Sequence, residues 1–320
     1  GAADVVIQRN RIEEAGQAGI LVGFDTSVEF FDLRANPNYY EAIRGTVRNN
    51  YVKGTAYAGI GLYAAKDAVV ANNTIVDAAR EGHAALYFGV TFQDWDPNAK
   101  RPPNINPRLL NNLVVNGSDC MAIRYSDELG GLSGLSGSPG SDYNGFASTC
   151  RFEDGRPGSV LSNGTLAQWR SSTKADSHSL SGNFSVDAKG HLPSGSAAIN
   201  KGTVVAQVAD DIDKQPRLSS YDIGADEYGQ ASAKPIARNG SRPLLPPHGG
   251  GNTVAAESAG APSPRSGVAA PAPSPPDART PPVADTAKPR QVRITPPLIV
   301  AWYRFLGWLD RTGFYFRTLL

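Results

Sequence analysis

Short apolar runs broken by polar and small residues recur along the first third of this chain, with no helical period among them. Segments 5–12, 46–52, 69–75 and 108–114 share one shape, an apolar run followed by an Asn two residues before the next apolar side chain. A small-residue turn follows each, then a second apolar run at 19–22, 59–62, 84–87 and 121–124. A period of about 23 residues built from short strands and turns is the mark of a stacked repeat. Asn tolerates the left-handed backbone of a tight corner, and its amide can stack on the Asn of the next repeat. The pattern predicts an all-β fold, a right-handed parallel β-helix in which each coil is buried only by its neighbours, a single-stranded solenoid.

The Asn spacing locates insertions. Asn50 to Asn73 is one bare coil, whereas the steps Asn10 to Asn50 and Asn73 to Asn112 are each longer by about 17 residues. The extra residues fall at 24–41 and 91–107, both after the second strand of a coil, and a Gly/Ser-rich loop at 126–141 leaves the next coil at the same corner. Three loops on one edge of a rigid scaffold predict a groove with the bare coil as its floor.

Alternation places Val22, Leu62, Leu86 and Ile123 inward, so the residues after them form an outward column of Gly23, Tyr63, Tyr87 and Arg124. His83 lies on the same face, and Lys66 closes the middle coil at the loop corner. These groups suit β-elimination on a uronate polymer. Arg or Lys neutralises the sugar carboxylate and stabilises the developing enolate, while Tyr, His or a desolvated Lys takes the C5 proton. The candidate catalytic residues are therefore Lys66, Tyr87, Arg124 and His83. Tyr63, Arg44, Trp95, Tyr39, Tyr40, Asp94 and Asp96 are the candidate substrate contacts, with Trp95, Tyr39 and Tyr40 read either as sugar-stacking platforms or as buried loop anchors. A ladder of stacked rings with solvated charges is the plainer account of the same column. Loop acids such as Asp25, Glu29 and Asp32 could instead work in pairs on a glycosidic bond. No metal site is expected, although Ca²⁺ could sit among such oxygens; no ligand spacing is diagnostic.

The stretches 194–202, 210–217 and 221–228 (SGSAAINKG, DDIDKQPR, YDIGADEY) resemble the C-terminal cap of secreted right-handed β-helix proteins of the pectate-lyase-like superfamily. With the coils, that likeness covers residues 1–228 and implies a cap at about 182–228. Glu41-Ala42-Ile43-Arg44, and Lys66 ahead of Asn73-Thr74, resemble the alginate lyase and chondroitinase B type of polysaccharide lyase. That family carries an Arg about one coil after the Lys, where this chain has Tyr87.

A net charge of +1 excludes the basic stripe of a nucleic-acid binder. Cys120 and Cys150 are read either as two free thiols or as a disulfide tying the third loop to the helix. The chain opens inside a coil, which predicts a fragment lacking its N-terminal cap. Residues 229–295 are rich in Pro and Ala and read as a disordered linker. The aromatic segment 296–320 reads as an amphipathic tail making weak membrane-surface or protein contact. The expectation is a monomeric, secreted, periplasmic or cell-surface protein that cleaves an acidic polysaccharide. A glycoside hydrolase or uronate epimerase on the same groove is the alternative enzyme, and a carbohydrate-binding or adhesin scaffold the non-catalytic rival.

Overall fold

The computed structural model describes residues 1–91 and 101–229. Trp95, Asp94 and Asp96, the linker from residue 230 onward and the 296–320 tail lie outside the described residues. Within them the protein is built of strands in parallel sheets, with one α-helix, Leu166–Thr173.

Each of five successive passes of the chain adds one strand to each of three sheets in the same order, and Leu180–Gly182 then extends the second. The first sheet stacks Val6–Gln8, Thr46–Arg48, Val69–Ala71, Arg108–Leu110 and Gly140–Asp142. The second stacks Arg11–Glu13, Tyr51–Lys53, Thr74–Val76, Leu113–Val115, Gly145–Ala147 and Leu180–Gly182. The third stacks Ile20–Val22, Ile60–Tyr63, Leu86–Gly89, Asp119–Ile123 and Arg151–Asp154, with Leu161–Gly164 antiparallel at its edge. A short corner sheet of Ala2–Ala3, Ala42–Ile43 and Ala65–Lys66 joins the third sheet to the first. The middle residues of the strands in the first two sheets, among them Val47, Val70, Leu109, Val52, Ile75 and Val114, meet Ile60, Leu62, Leu86 and Phe88 of the third in one core. Alternation at a period of two brings this about.

The two members of each Asn pair divide the work of the corner. Asn49, Asn72 and Asn111 take the left-handed conformation (φ +54°, +53° and +56°). The Asn after each one faces inward and stacks. Asn10, Asn50, Asn73 and Asn112 each donate from Nδ2 to the Oδ1 of the next rung, at 2.9, 2.9, 3.0 and 3.0 Å, with Asn144 receiving the last. Asn50, Asn73, Asn112 and Asn144 are fully buried. The ladder ends on Asp176, whose Oδ1 accepts from Asn144, Ser141 and Ser179 and whose Oδ2 accepts from Trp169 Nε1 at 2.9 Å. Burial holds the Asp176 carboxyl above the usual range, against those four donors.

The helix lies outside the all-β expectation drawn from the sequence. Thr165 and Gln168 form a capping box at its start, and Lys174 closes it in the left-handed region. Leu166 and Trp169 enter the main core, so this helix covers the last rungs.

The segment expected as a C-terminal cap runs along the sides of the stack. Phe184, Leu192, Ala198, Ile212 and Ile223 pack on Tyr51, Val76 and Leu113, the outward residues of the second sheet. Val205, Val208 and Tyr221 cover Val69 and Ala71 of the first. The left-handed asparagines hold this strap, Asn49 donating to Asp210 O (2.8 Å), Asn72 to Asp222 O (3.0 Å) and Asn111 to Thr203 O (2.7 Å). Arg217, buried against Glu227 at 2.9 Å, also donates to Asn49 Oδ1 at 3.0 Å.

Cys120 and Cys150 are disulfide-bonded. The bond joins neighbouring passes at the third sheet, so of the two sequence readings the bridged one holds, with the link running between passes.

Candidate functional site

The outward face of the third sheet carries the predicted column with one change of register. Tyr87 lies opposite Gly61 and Ala122, whereas Tyr63 lies opposite Gly89. Leu86 pairs with Ile60, and Phe88 takes the place opposite Leu62 that alternation had given to Leu86. Leu86 and Phe88 are both apolar and two residues apart, so inward periodicity alone does not choose between them. The Tyr63 ring fills the space above Gly89, where a Cβ would stand 2.1 Å from it. Arg124 follows Ile123, the partner of Phe88, so it continues the Tyr63 and Gly89 column, and its N–H donates to Phe88 O.

The rings on this face form a run. Phe24 meets Tyr63 edge-on at 5.5 Å, Tyr63 meets Tyr87 at 6.1 Å, and His83 stacks on Tyr87 at 4.2 Å and 5°. Tyr57 closes the run against His83 at 5.2 Å. His83 has a left-handed backbone (φ +68°) that turns its ring onto the Tyr87 face, and it is half-buried. Tyr63 and Tyr87 are only 6% and 5% exposed, in a small cluster with Ala58, Ala84 and Ala122.

Lys66 stands on the corner sheet, paired with Ile43 and bridged to Ile105, not on the ring face. Its Nζ lies over the Tyr40 ring at 5.7 Å. Burial, then the charge of Asp67, pushes the Tyr40 phenol up, so Tyr40 stays protonated and serves as a surface for the cation. Arg44 is exposed and forms a two-pronged pair with Asp4, both bonds 2.7 Å. Thus His83, Tyr87 and Tyr63 are in ring contact and Arg124 continues Tyr63's column, while Lys66, Tyr40 and Arg44 lie around the adjoining corner.

The first two insertions touch each other. Arg101 and Glu41, with side chains 1% and 2% exposed, pair at 3.3 Å. Thr26 donates to both Glu41 oxygens, and Arg101 Nη2 donates to Thr26 O. The guanidinium lies 4.7 Å from the Phe31 ring and 5.9 Å from Tyr39. Tyr39 therefore packs inside this clasp, edge-on to Phe31, as a loop anchor. Glu41, the acidic member of the lyase-like motif, is a clasp residue here. Sequence reasoning missed Arg101, Phe24 and Tyr57: no local pattern links residues 41 and 101, and neither Phe24 nor Tyr57 lies on the strand column.

No family model matches the chain, and no curated protein matches it.

Proposed function

We propose that the chain is a right-handed parallel β-helix that binds an extracellular acidic polysaccharide across the outer face of the third sheet and cleaves it by β-elimination. Three parallel sheets that gain their strands in one repeating order support the coil, and right-handed crossover between parallel strands is the strong default. The observation that carries the function is the His83–Tyr87 stack on an outward sheet face beside the loop corner. A phenol and an imidazole in contact make a proton-accepting and proton-donating pair for abstraction at C5 and protonation of the leaving oxygen. Arg124 is the carboxylate-neutralising group in this reading, and Lys66 over Tyr40 binds a neighbouring sugar's carboxylate. The Cys120–Cys150 bond fits an oxidising compartment, hence a secreted, periplasmic or cell-surface protein.

The burial of Tyr63 and Tyr87 favours a second reading, a binding scaffold whose rings are packing and whose ligand contacts come from the loops. Exposure to a panel of uronate polymers separates the two. Unsaturated product that disappears in Tyr87→Phe supports the lyase, and binding without product supports the scaffold.

A further inference from the structure

The strap carries a cluster that the proposed site does not use. His191, Asp213 and Asp226 each present a ligand atom within 4.8 Å of the other two. They come from three separate points of the strap. His191 Nε2 lies 2.7 Å from Asp213 Oδ2, and Asp226 is buried at 6% exposure. Two of the three are oriented from behind. The other imidazole nitrogen, Nδ1, faces Asp187 Oδ2 at 3.2 Å, and Asp226 Oδ2 accepts the Leu192 N–H at 2.8 Å. A carboxylate behind a histidine fixes the tautomer that leaves Nε2 free to ligate, which is the arrangement metal-bound histidines use.

Charge points the same way. The carboxylates of Asp187, Asp213 and Asp226 gather around His191, and Asp211 stands nearby, accepting the Glu227 N–H. Arg11 stands 3.9 Å from Asp213, and Arg217 faces Asp211.

We propose that His191, Asp213 and Asp226 form a divalent-metal site, suited to Zn²⁺, that locks the strap across the sides of the stack. One imidazole and two carboxylates, with a position left for water, are a donor set that Zn²⁺ accepts, whereas Ca²⁺ takes oxygens alone. A tetrahedral ion with bonds of about 2.0–2.1 Å keeps its ligands roughly 3.3 Å apart, so atoms up to 4.8 Å apart need close by about 1.5 Å at most and the 2.7 Å His191–Asp213 pair need open by about 0.6 Å. His191 would exchange its hydrogen bond to Asp213 for the metal and keep Asp187. Bound metal would tie residues 191, 213 and 226 together over Tyr51, against whose ring Gly190 packs.

The test is thermal unfolding of the full chain, stripped with chelator and then supplied with Zn²⁺ or Ca²⁺, with Zn²⁺ binding followed by calorimetry. At a hundredfold excess over Kd, Zn²⁺ should raise Tm by about 5–10 °C. His178→Ala, which alters an exposed histidine outside the trio, should keep that shift. His191→Ala and the milder Asp213→Asn should lose it, and Co²⁺ should give the visible absorption of a tetrahedral site in the unaltered chain and in His178→Ala but in neither of those two variants. Absence of Zn²⁺ binding, an equal shift in Asp213→Asn, or Ca²⁺ matching Zn²⁺ would overturn the assignment.

Discussion

Asn73→Ala removes one rung from the centre of the inner ladder and leaves the rest of its pass intact. Asn73 Oδ1 accepts both the backbone N–H of Asn50 (3.0 Å) and the Asn50 side-chain amide (2.9 Å). Its Nδ2 donates to Asn112 Oδ1, Val47 O and Ala71 O. The Asn50 amide keeps Ile7 O and Arg48 O, but its backbone N–H is stranded in a fully buried position. One stranded donor costs about 1–3 kcal/mol and each of the four other lost bonds about 0.5–1.5 kcal/mol net, so the loss is about 3 kcal/mol or more. Asn72→Gly provides the contrast. Gly accepts the left-handed corner, so the substitution loses the two strap bonds to Asp222 and Gly224 and the bond accepted from Asn111 Nδ2, at about 0.5–1.5 kcal/mol each. Urea unfolding of both variants measures the difference through the midpoint at constant slope. If Asn73→Ala costs less than about 1 kcal/mol, or no more than Asn72→Gly, the ladder does not hold the passes together.

Reducing the Cys120–Cys150 bond opens a link between residues 30 apart, which should lower stability by about 3–4 kcal/mol, read as a shift in the urea midpoint with and without reductant. Trp169→Phe keeps an apolar ring but leaves the buried Asp176 carboxylate one donor short, at about 1–3 kcal/mol in the same assay. Asp222 is held at about 6 by burial, with Glu227 adding to the rise, so the folded chain binds its proton more tightly than the unfolded chain does. Stability from this group is full below 3.8 and is lost as pH rises through about 6. In Asp222→Asn the fall in stability between those pH values should shrink relative to the unaltered chain; identical slopes would refute the assignment.

The sequence makes the repeat legible because a buried strand must alternate, so Leu62, Val52 and Val70 announce their direction. The Asn pairs mark the corners for the same reason, since few residues take a left-handed turn and then hydrogen-bond inward. Register is less legible. Leu86 and Phe88 compete for one inward place, and only the glycine under Tyr63 decides it, through a contact between passes. Thr165 and Gln168 carried a local helix signal that the loss of strand periodicity hid. The strap lacks any period, because its apolar residues follow the shape of the sheets they cover. The clasp of Glu41 and Arg101 joins distant loops, so no short window contains it. For the site, the face of His83, Tyr63 and Tyr87 and the corner position of Lys66 were readable, whereas the left-handed turn at Ala64 (φ +45°) that parts Lys66 from the ring face was not.

The proposed chemistry meets its most direct test in the ultraviolet absorbance of unsaturated uronate ends, followed while the full chain is incubated with alginate, pectate and sulfated and unsulfated glycosaminoglycans. Absorbance should rise on at least one polymer. Arg124→Ala should slow that rise by about a hundredfold or more, as expected for loss of an electrostatic donor. Tyr87→Phe, which keeps the stack on His83 and deletes one hydroxyl, should slow it as well. No rise on any polymer, or full activity in both variants, would contradict β-elimination at this face.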